Sequence, residues 1–143
     1  MADKFNDPTQ RFPDDLIVNP QDGLDAEEVA AISALPSGSA LLVVKRGASD
    51  GARFLLDTDL AKAGRHPNAD IFLDDVTVSR KHAEFVRTDK NFKVRDLASL
   101  NGTYYEGERV ERHALTDGDE VQVGKFHLTF FASRVDLARG VSA

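Results

Sequence analysis

From residue 39 to residue 131 the chain repeats one pattern: a short apolar or alternating run, then a turn, about every ten residues. Nothing else in the sequence constrains the fold as strongly. The runs are SALLVVK (39–45), 53–56, 61–64, 71–73, HAEFVR (82–87), FKVRD (92–96), 103–105, EVQV (120–123) and FHLTFF (126–131). Between them lie Pro67-Asn68, Asp89-Lys90-Asn91, Asn101-Gly102, Glu106-Gly107, Asp117-Gly118 and Gly124. Glycine, asparagine and proline break strands because they supply turn geometry at little steric cost. Many short strands with no helical period between them predict an all-β sandwich or barrel.

The first quarter of the chain reads differently. Residues 1–36 carry eight acidic side chains and two basic ones, so the net charge of −6 lies there and residues 37–143 are neutral. Residues 1–23 are rich in Asp, Asn, Pro and Gln and are expected to be disordered, apart from an apolar patch of Phe12 with Leu16-Ile17-Val18. Residues 25–35 predict a short helix. Asp25 can cap it, Glu28 completes a capping box, and Val29, Ile32 and Leu35 share a face that ends at Pro36. The expected organisation is an acidic tail over 1–36, a β domain over 37–131 and a flexible C-terminus over 132–143.

Composition excludes several functions. An acidic arm on a neutral body argues against nucleic acid as the partner. No apolar stretch is long enough to span a bilayer, and the N-terminus lacks the apolar run of a signal peptide, so a cytoplasmic protein without membrane attachment is expected. There is no cysteine, hence no disulfide and no thiolate site. His66, His82, His113 and His127 show no metal-ligand spacing, so neither a metal nor a cofactor is expected. Ser79 and His82 lie three residues apart, but nothing marks an orienting third group or an oxyanion hole, and no enzyme is expected.

Three loops carry polar and cationic residues between the strands: Gly64-Arg65-His66-Pro67, Val78-Ser79-Arg80-Lys81-His82 and Ser99-Leu100-Asn101-Gly102-Thr103. Loops on a rigid β scaffold are the usual seat of binding residues. Arginine brings a fixed fork of donors for a phosphate, serine adds a hydroxyl, and asparagine can pair with an extended peptide backbone. In order, Gly64-Arg65, Ser79-Arg80-Lys81-His82, Asn101-Gly102-Thr103 and Gly118-Asp119 resemble the signature of forkhead-associated (FHA) domains over roughly residues 37–131. The resemblance implies an eleven-stranded sandwich that binds phosphothreonine in extended peptides. It implies that Arg65 and Ser79 hold the phosphate with help from Arg80, that Asn101 clamps the peptide backbone, and that Gly64, His82 and Gly102 support the site. Many family members have Thr or Ser directly before the asparagine. This chain departs from that pattern, with Leu100 there and Ser99 one position earlier, and Ser99 is counted among the residues expected to bind the phosphothreonine.

Longer stretches, among them 63–87 (AGRHPNADIFLDDVTVSRKHAEFVR) and 118–126 (GDEVQVGKF), resemble the actinobacterial 2-oxoglutarate dehydrogenase inhibitors. That resemblance implies an inhibitor of the 2-oxoglutarate dehydrogenase E1 component, with glutamate dehydrogenase and glutamate synthase as further partners. It also implies a tail that a Ser/Thr protein kinase phosphorylates and that then binds its own FHA pocket. Thr9 is the sole threonine among residues 1–57, and it is followed by Phe12, Leu16 and Ile17 at the family's spacing. Pro8 stands where the family has a first threonine, so Thr9 is the expected phosphosite. A constitutive adaptor that recruits a phosphothreonine-bearing partner is the alternative.

Overall fold

A computed structural model describes residues 24–46 and 52–138. Among these residues eleven strands form two sheets, with one helix before them and one after. The helix α1 spans Ala26–Ser33. The strands are β1 Ala40–Arg46, β2 Arg53–Leu56, β3 Leu60–Gly64, β4 Ile71–Phe72, β5 Ala83–Thr88, β6 Asn91–Asp96, β7 Thr103–Tyr105, β8 Glu108–Val110, β9 Arg112–Ala114, β10 Glu120–Val123 and β11 Phe126–Ala132; helix α2 spans Arg134–Ala138. One sheet runs β9-β6-β5-β3-β4 and the other β2-β1-β11-β10-β7-β8. All pairings are antiparallel except the short parallel pair β3–β4.

The sandwich core follows from alternation. Leu42 and Val44 of β1, Phe85 of β5, Val94 of β6, Val121 and Val123 of β10 and Phe126, Leu128 and Phe130 of β11 are buried between the sheets. Phe92 and Phe130 meet at a tilt, with ring centroids 5.6 Å apart. Strand β1 is apolar on both faces for a reason. Leu41 and Val43 point the other way and pack with Phe131 against Leu24, Ile32 and Leu35 at α1. The helix is fastened at its start, where Asp25 Oδ1 accepts from the Glu28 N–H at 2.8 Å and Glu28 Oε1 accepts from the Asp25 N–H at 3.1 Å. An eight-residue helix is marginal alone, and the outer face of β1 and β11 is what holds it.

Two elements differ from the sequence expectation. Residues 132–143 were expected to be loose, yet 134–138 form α2. Its Asp136 is buried and accepts from Ser37 Oγ at 2.6 Å and from the Gly38 N–H at 2.7 Å. Ser133 Oγ adds a bond to the Leu35 carbonyl at 3.1 Å. Partners almost a hundred residues away hold this turn, so no local pattern announces it. Strands β8 and β9 are the second difference. Their sequences ERV and RHA are exposed edge strands without an apolar face. Thr9 and the apolar patch after it lie outside the described residues, as does the expected disorder of residues 1–23. Among the described residues no helix is long and apolar enough to cross a membrane.

Candidate functional site

The three polar loops meet at one end of the sandwich. The loop after β3 begins at Gly64, where a Cβ would collide with the backbone carbonyl of Arg80, so only glycine lets the two loops touch. The Arg65 N–H donates to the Ser79 carbonyl at 3.0 Å, and Arg65 Nε donates to the Val78 carbonyl at 3.1 Å. That bond fixes the stem of an exposed side chain. Its terminal N–H groups have no partner among the described residues.

His82 is the post beneath the loops. It is fully buried. Its Nδ1 accepts from the Ser79 N–H at 3.0 Å, which places the ring proton on Nε2, 2.8 Å from the Gly102 carbonyl. One imidazole thereby ties the Ser79 loop to the Asn101-Gly102 turn. Burial pushes its pKa below the ordinary 6.5, against the opposing pull of the Gly102 carbonyl and Asp96. The neutral ring is the form that can accept from Ser79.

The loop before β7 is built on Asp96. Its Oδ1 accepts from Ser99 Oγ at 2.5 Å and from Thr103 Oγ1 at 2.7 Å. Burial raises the pKa of this carboxyl, but the hydrogen bonds from Ser99 and Thr103 outweigh it and hold the group below the usual range. Ser99 Oγ also accepts from the Gly102 N–H at 3.0 Å. Ser99 was expected beside the phosphate. It is instead buried, with its hydroxyl proton given to Asp96, and its place is under the turn. Ser79 differs: its Oγ accepts from the Leu100 N–H at 3.0 Å and its proton has no partner among the described residues. Asn101 Nδ2 donates to the Thr77 carbonyl at 2.9 Å, and its amide oxygen has no partner among the described residues. Arg80 and Lys81 are exposed and make no ion pair among the described residues. A cleft of about 220 Å³ opens beside them, lined by Lys62, His66, Asn68, Arg80, Lys81 and Leu97 among others.

Sequence reasoning missed the outer brace of this site. Thr77 Oγ1 donates to Asp75 Oδ2 at 2.6 Å and accepts from the Lys125 N–H at 2.9 Å, while Lys125 Nζ lies 3.0 Å from Asp75 Oδ1. The Thr77 hydroxyl, then the Thr77 N–H and Lys125, lower the Asp75 pKa to about 2. Gly124 makes the approach possible, since a Cβ there would sit 2.5 Å from Thr77 Oγ1. The Asp-x-Thr spacing at 75–77 was the available signal. Val76 and Leu100 stand out from the two loops, 87% and 85% exposed, as apolar points on the rim. The loops bring to one end of the sandwich two exposed guanidiniums, a hydroxyl proton and an amide oxygen that have no partner among the described residues, a set suited to a dianionic group on an extended chain.

The profile of the FHA domain matches residues 61–124. Among curated proteins, the chain is similar to the glycogen accumulation regulator GarA of Mycolicibacterium smegmatis, 61% identical over 71% of this chain and 65% of that protein. It is also similar to the oxoglutarate dehydrogenase inhibitor of Corynebacterium jeikeium, 52% identical over 85% of each. The match spans just under two thirds of the length of the GarA relatives, 63–65%. Among solved structures, an FHA domain from a study of phosphothreonine-dependent interactions superposes with a TM-score of 0.61 at 29% identity, over 65% of this chain and 95% of that one. Mycobacterium tuberculosis EmbR in complex with a low-affinity phosphopeptide gives 0.62 at 32% identity, over 73% of this chain and 28% of that one.

Proposed function

The chain belongs to the FHA-domain family that includes the GarA and oxoglutarate dehydrogenase inhibitor proteins, and on that premise we propose that it is a phosphothreonine-binding regulator that inhibits 2-oxoglutarate dehydrogenase. The observation that carries this reading is the Ser79 hydroxyl, which accepts from the Leu100 N–H and whose proton has no partner among the described residues, in loops that also carry the exposed side chains of Arg65 and Arg80. In this reading Ser79 Oγ donates to one phosphate oxygen and the arginines neutralise the others. Asn101 offers its open amide oxygen to a backbone N–H of the peptide. His82, Gly64, Gly102, Ser99 and Asp96 keep those groups in place without touching the ligand. No proton moves and no bond breaks, so the chemistry is recognition.

The inhibitory form is the unphosphorylated chain, and its target is the E1 component. Glutamate dehydrogenase and glutamate synthase are further enzyme partners in the same reading. A Ser/Thr protein kinase places phosphate on Thr9, which adds about −1.5 to −2 charges and three acceptor oxygens. The tail then occupies its own pocket. A short flexible linker gives an effective concentration on the order of millimolar, so an intrinsic affinity of about micromolar closes the tail almost completely. The closed tail covers the surface that the enzyme needs.

The test assays purified 2-oxoglutarate dehydrogenase with three forms of the chain: unphosphorylated, Thr9-phosphorylated and kinase-treated Thr9→Ala. Inhibition by the first and third but not the second supports the reading. Equal inhibition by all three removes the switch. If no form inhibits while phosphothreonine peptides still bind, the chain is an adaptor.

A further inference from the structure

A second cleft, of about 590 Å³, is lined by Arg95 and Asp96 of β6, Ala98 just after it, and Arg109, Glu111 and Arg112 of the β8–β9 segment, among others. Three arginines converge there. Arg112 and Arg95 stand directly opposite each other in the β9–β6 register, an unfavourable placement of like charges unless a counter-charge sits by them. Arg95 has one, Glu84 of β5. Arg109 and Arg112 are exposed and make no ion pair among the described residues. The Asp96 carboxylate is turned into the loop, toward Ser99 and Thr103. Glu111 gives its carbonyl to the Asp96 N–H at 2.8 Å, and no ion pair ties its carboxylate to these arginines among the described residues. The Arg109 side chain lies against Gly102, two residues from the Leu100 N–H that bonds Ser79. The cleft therefore begins where the phosphate site ends.

The counter-charge is present in the sequence. Residues 37–143 are neutral, whereas residues 12–22 hold Asp14, Asp15 and Asp22 and no basic side chain. We propose that this arginine cleft seats the acidic doublet Asp14-Asp15 when Thr9 occupies the phosphate site, so that the tail is held at two points. The inference rests on the Thr9 reading above and extends it to a second site. The lengths permit it. Five or six residues separate Thr9 from the doublet and span at most about 16–20 Å at roughly 3.3 Å each. From the other side, Leu24 is packed on the outer face of β1 and β11. Nine residues back to Asp15 reach about 30 Å. The three strand spacings from β11 to β8 come to about 15 Å. The phosphate supplies the condition for docking, and the doublet supplies the preference for this tail over other phosphothreonine segments.

The experiment uses the full chain phosphorylated at Thr9 and a labelled phosphothreonine peptide without acidic residues after its phosphothreonine. The peptide reports how firmly the tail excludes it from the pocket. Four proteins are compared: the native chain, Arg109→Gln/Arg112→Gln, Asp14→Asn/Asp15→Asn, and all four changes together. The expected result is that each pair lets the peptide bind about tenfold better, that the combination gives no further gain, and that about 0.5 M salt abolishes the differences. Unphosphorylated versions should all bind the peptide alike, showing an intact pocket. Exclusion that persists in the arginine variant, or effects of the two pairs that multiply, overturns the cleft and leaves the Thr9 switch standing. If the phosphorylated native chain excludes the peptide no better than the unphosphorylated one, the switch fails and the cleft proposal with it.

Discussion

The three polar loops and the terminal clasp are both built from side chains far apart in sequence, but they use opposite means. At the loops, His82, Asp96, Ser99 and Thr77 join three segments by directed hydrogen bonds, and the apolar residues Val76 and Leu100 stand exposed among the described residues. At the clasp, α1 is held by an apolar cluster around Ile32, and one buried carboxylate, Asp136, fixes the 37–38 turn. Hydrogen bonds fix direction and contribute modest net stability, whereas burial contributes stability with little direction. The loops should thus govern binding and the clasp should govern stability, with little crossover.

The largest effect should come from Ile32→Ala. Ile32 is fully buried, and such truncations cost about 2–5 kcal/mol. Urea unfolding should show that loss while phosphopeptide affinity stays within about twofold. A parallel fall in affinity would break the separation. Asp136→Ala leaves the Ser37 hydroxyl and the buried Gly38 N–H without their acceptor and should cost about 1–3 kcal/mol, again with binding retained. Ser79→Ala tests the other side. The Leu100 N–H that it frees is exposed, so stability should change by about 0.5 kcal/mol or less. Calorimetry should show phosphopeptide binding weakened by about 1.5–3 kcal/mol, the usual worth of a hydrogen bond to a charged group.

The smallest effect is a pH dependence that sharpens the contrast. His82 in the unfolded chain titrates near 6.5, and burial holds it lower in the fold. Below about 6.5 the unfolded chain therefore binds a proton that the fold does not, and stability falls as pH falls. Urea midpoints measured from pH 7.5 to 5.5 should decline, and His82→Gln should flatten part of the slope. An unchanged slope would mean that His82 is not the group responsible.

What the sequence disclosed follows the same division. That the three loops form a set was legible because Gly64-Arg65, Ser79-Arg80 and Asn101-Gly102 are short motifs in fixed order. The bond of Ser99 to Asp96 was not legible, because a motif scan does not pair the two residues. The capping box and apolar face of α1 were readable, but its receptor was not. Leu41 and Val43 are hidden within the continuous run SALLVVK, which reads as a strand buried on both sides without saying by what. Strands β8 and β9 lack alternation because they are exposed edges, and α2 has only five residues and draws its hold from Ser37 and Gly38.

The two-faced strand β1 has one more consequence. With α1 in place, Leu41, Val43 and Phe131 are covered. Were the helix to lift, these side chains would form an uninterrupted apolar stripe on the outside of a sheet, a surface to which other extended chains adhere. The helix that precedes the sandwich is thus a guard for solubility, and conditions that loosen it should lead to self-association before the sandwich itself melts.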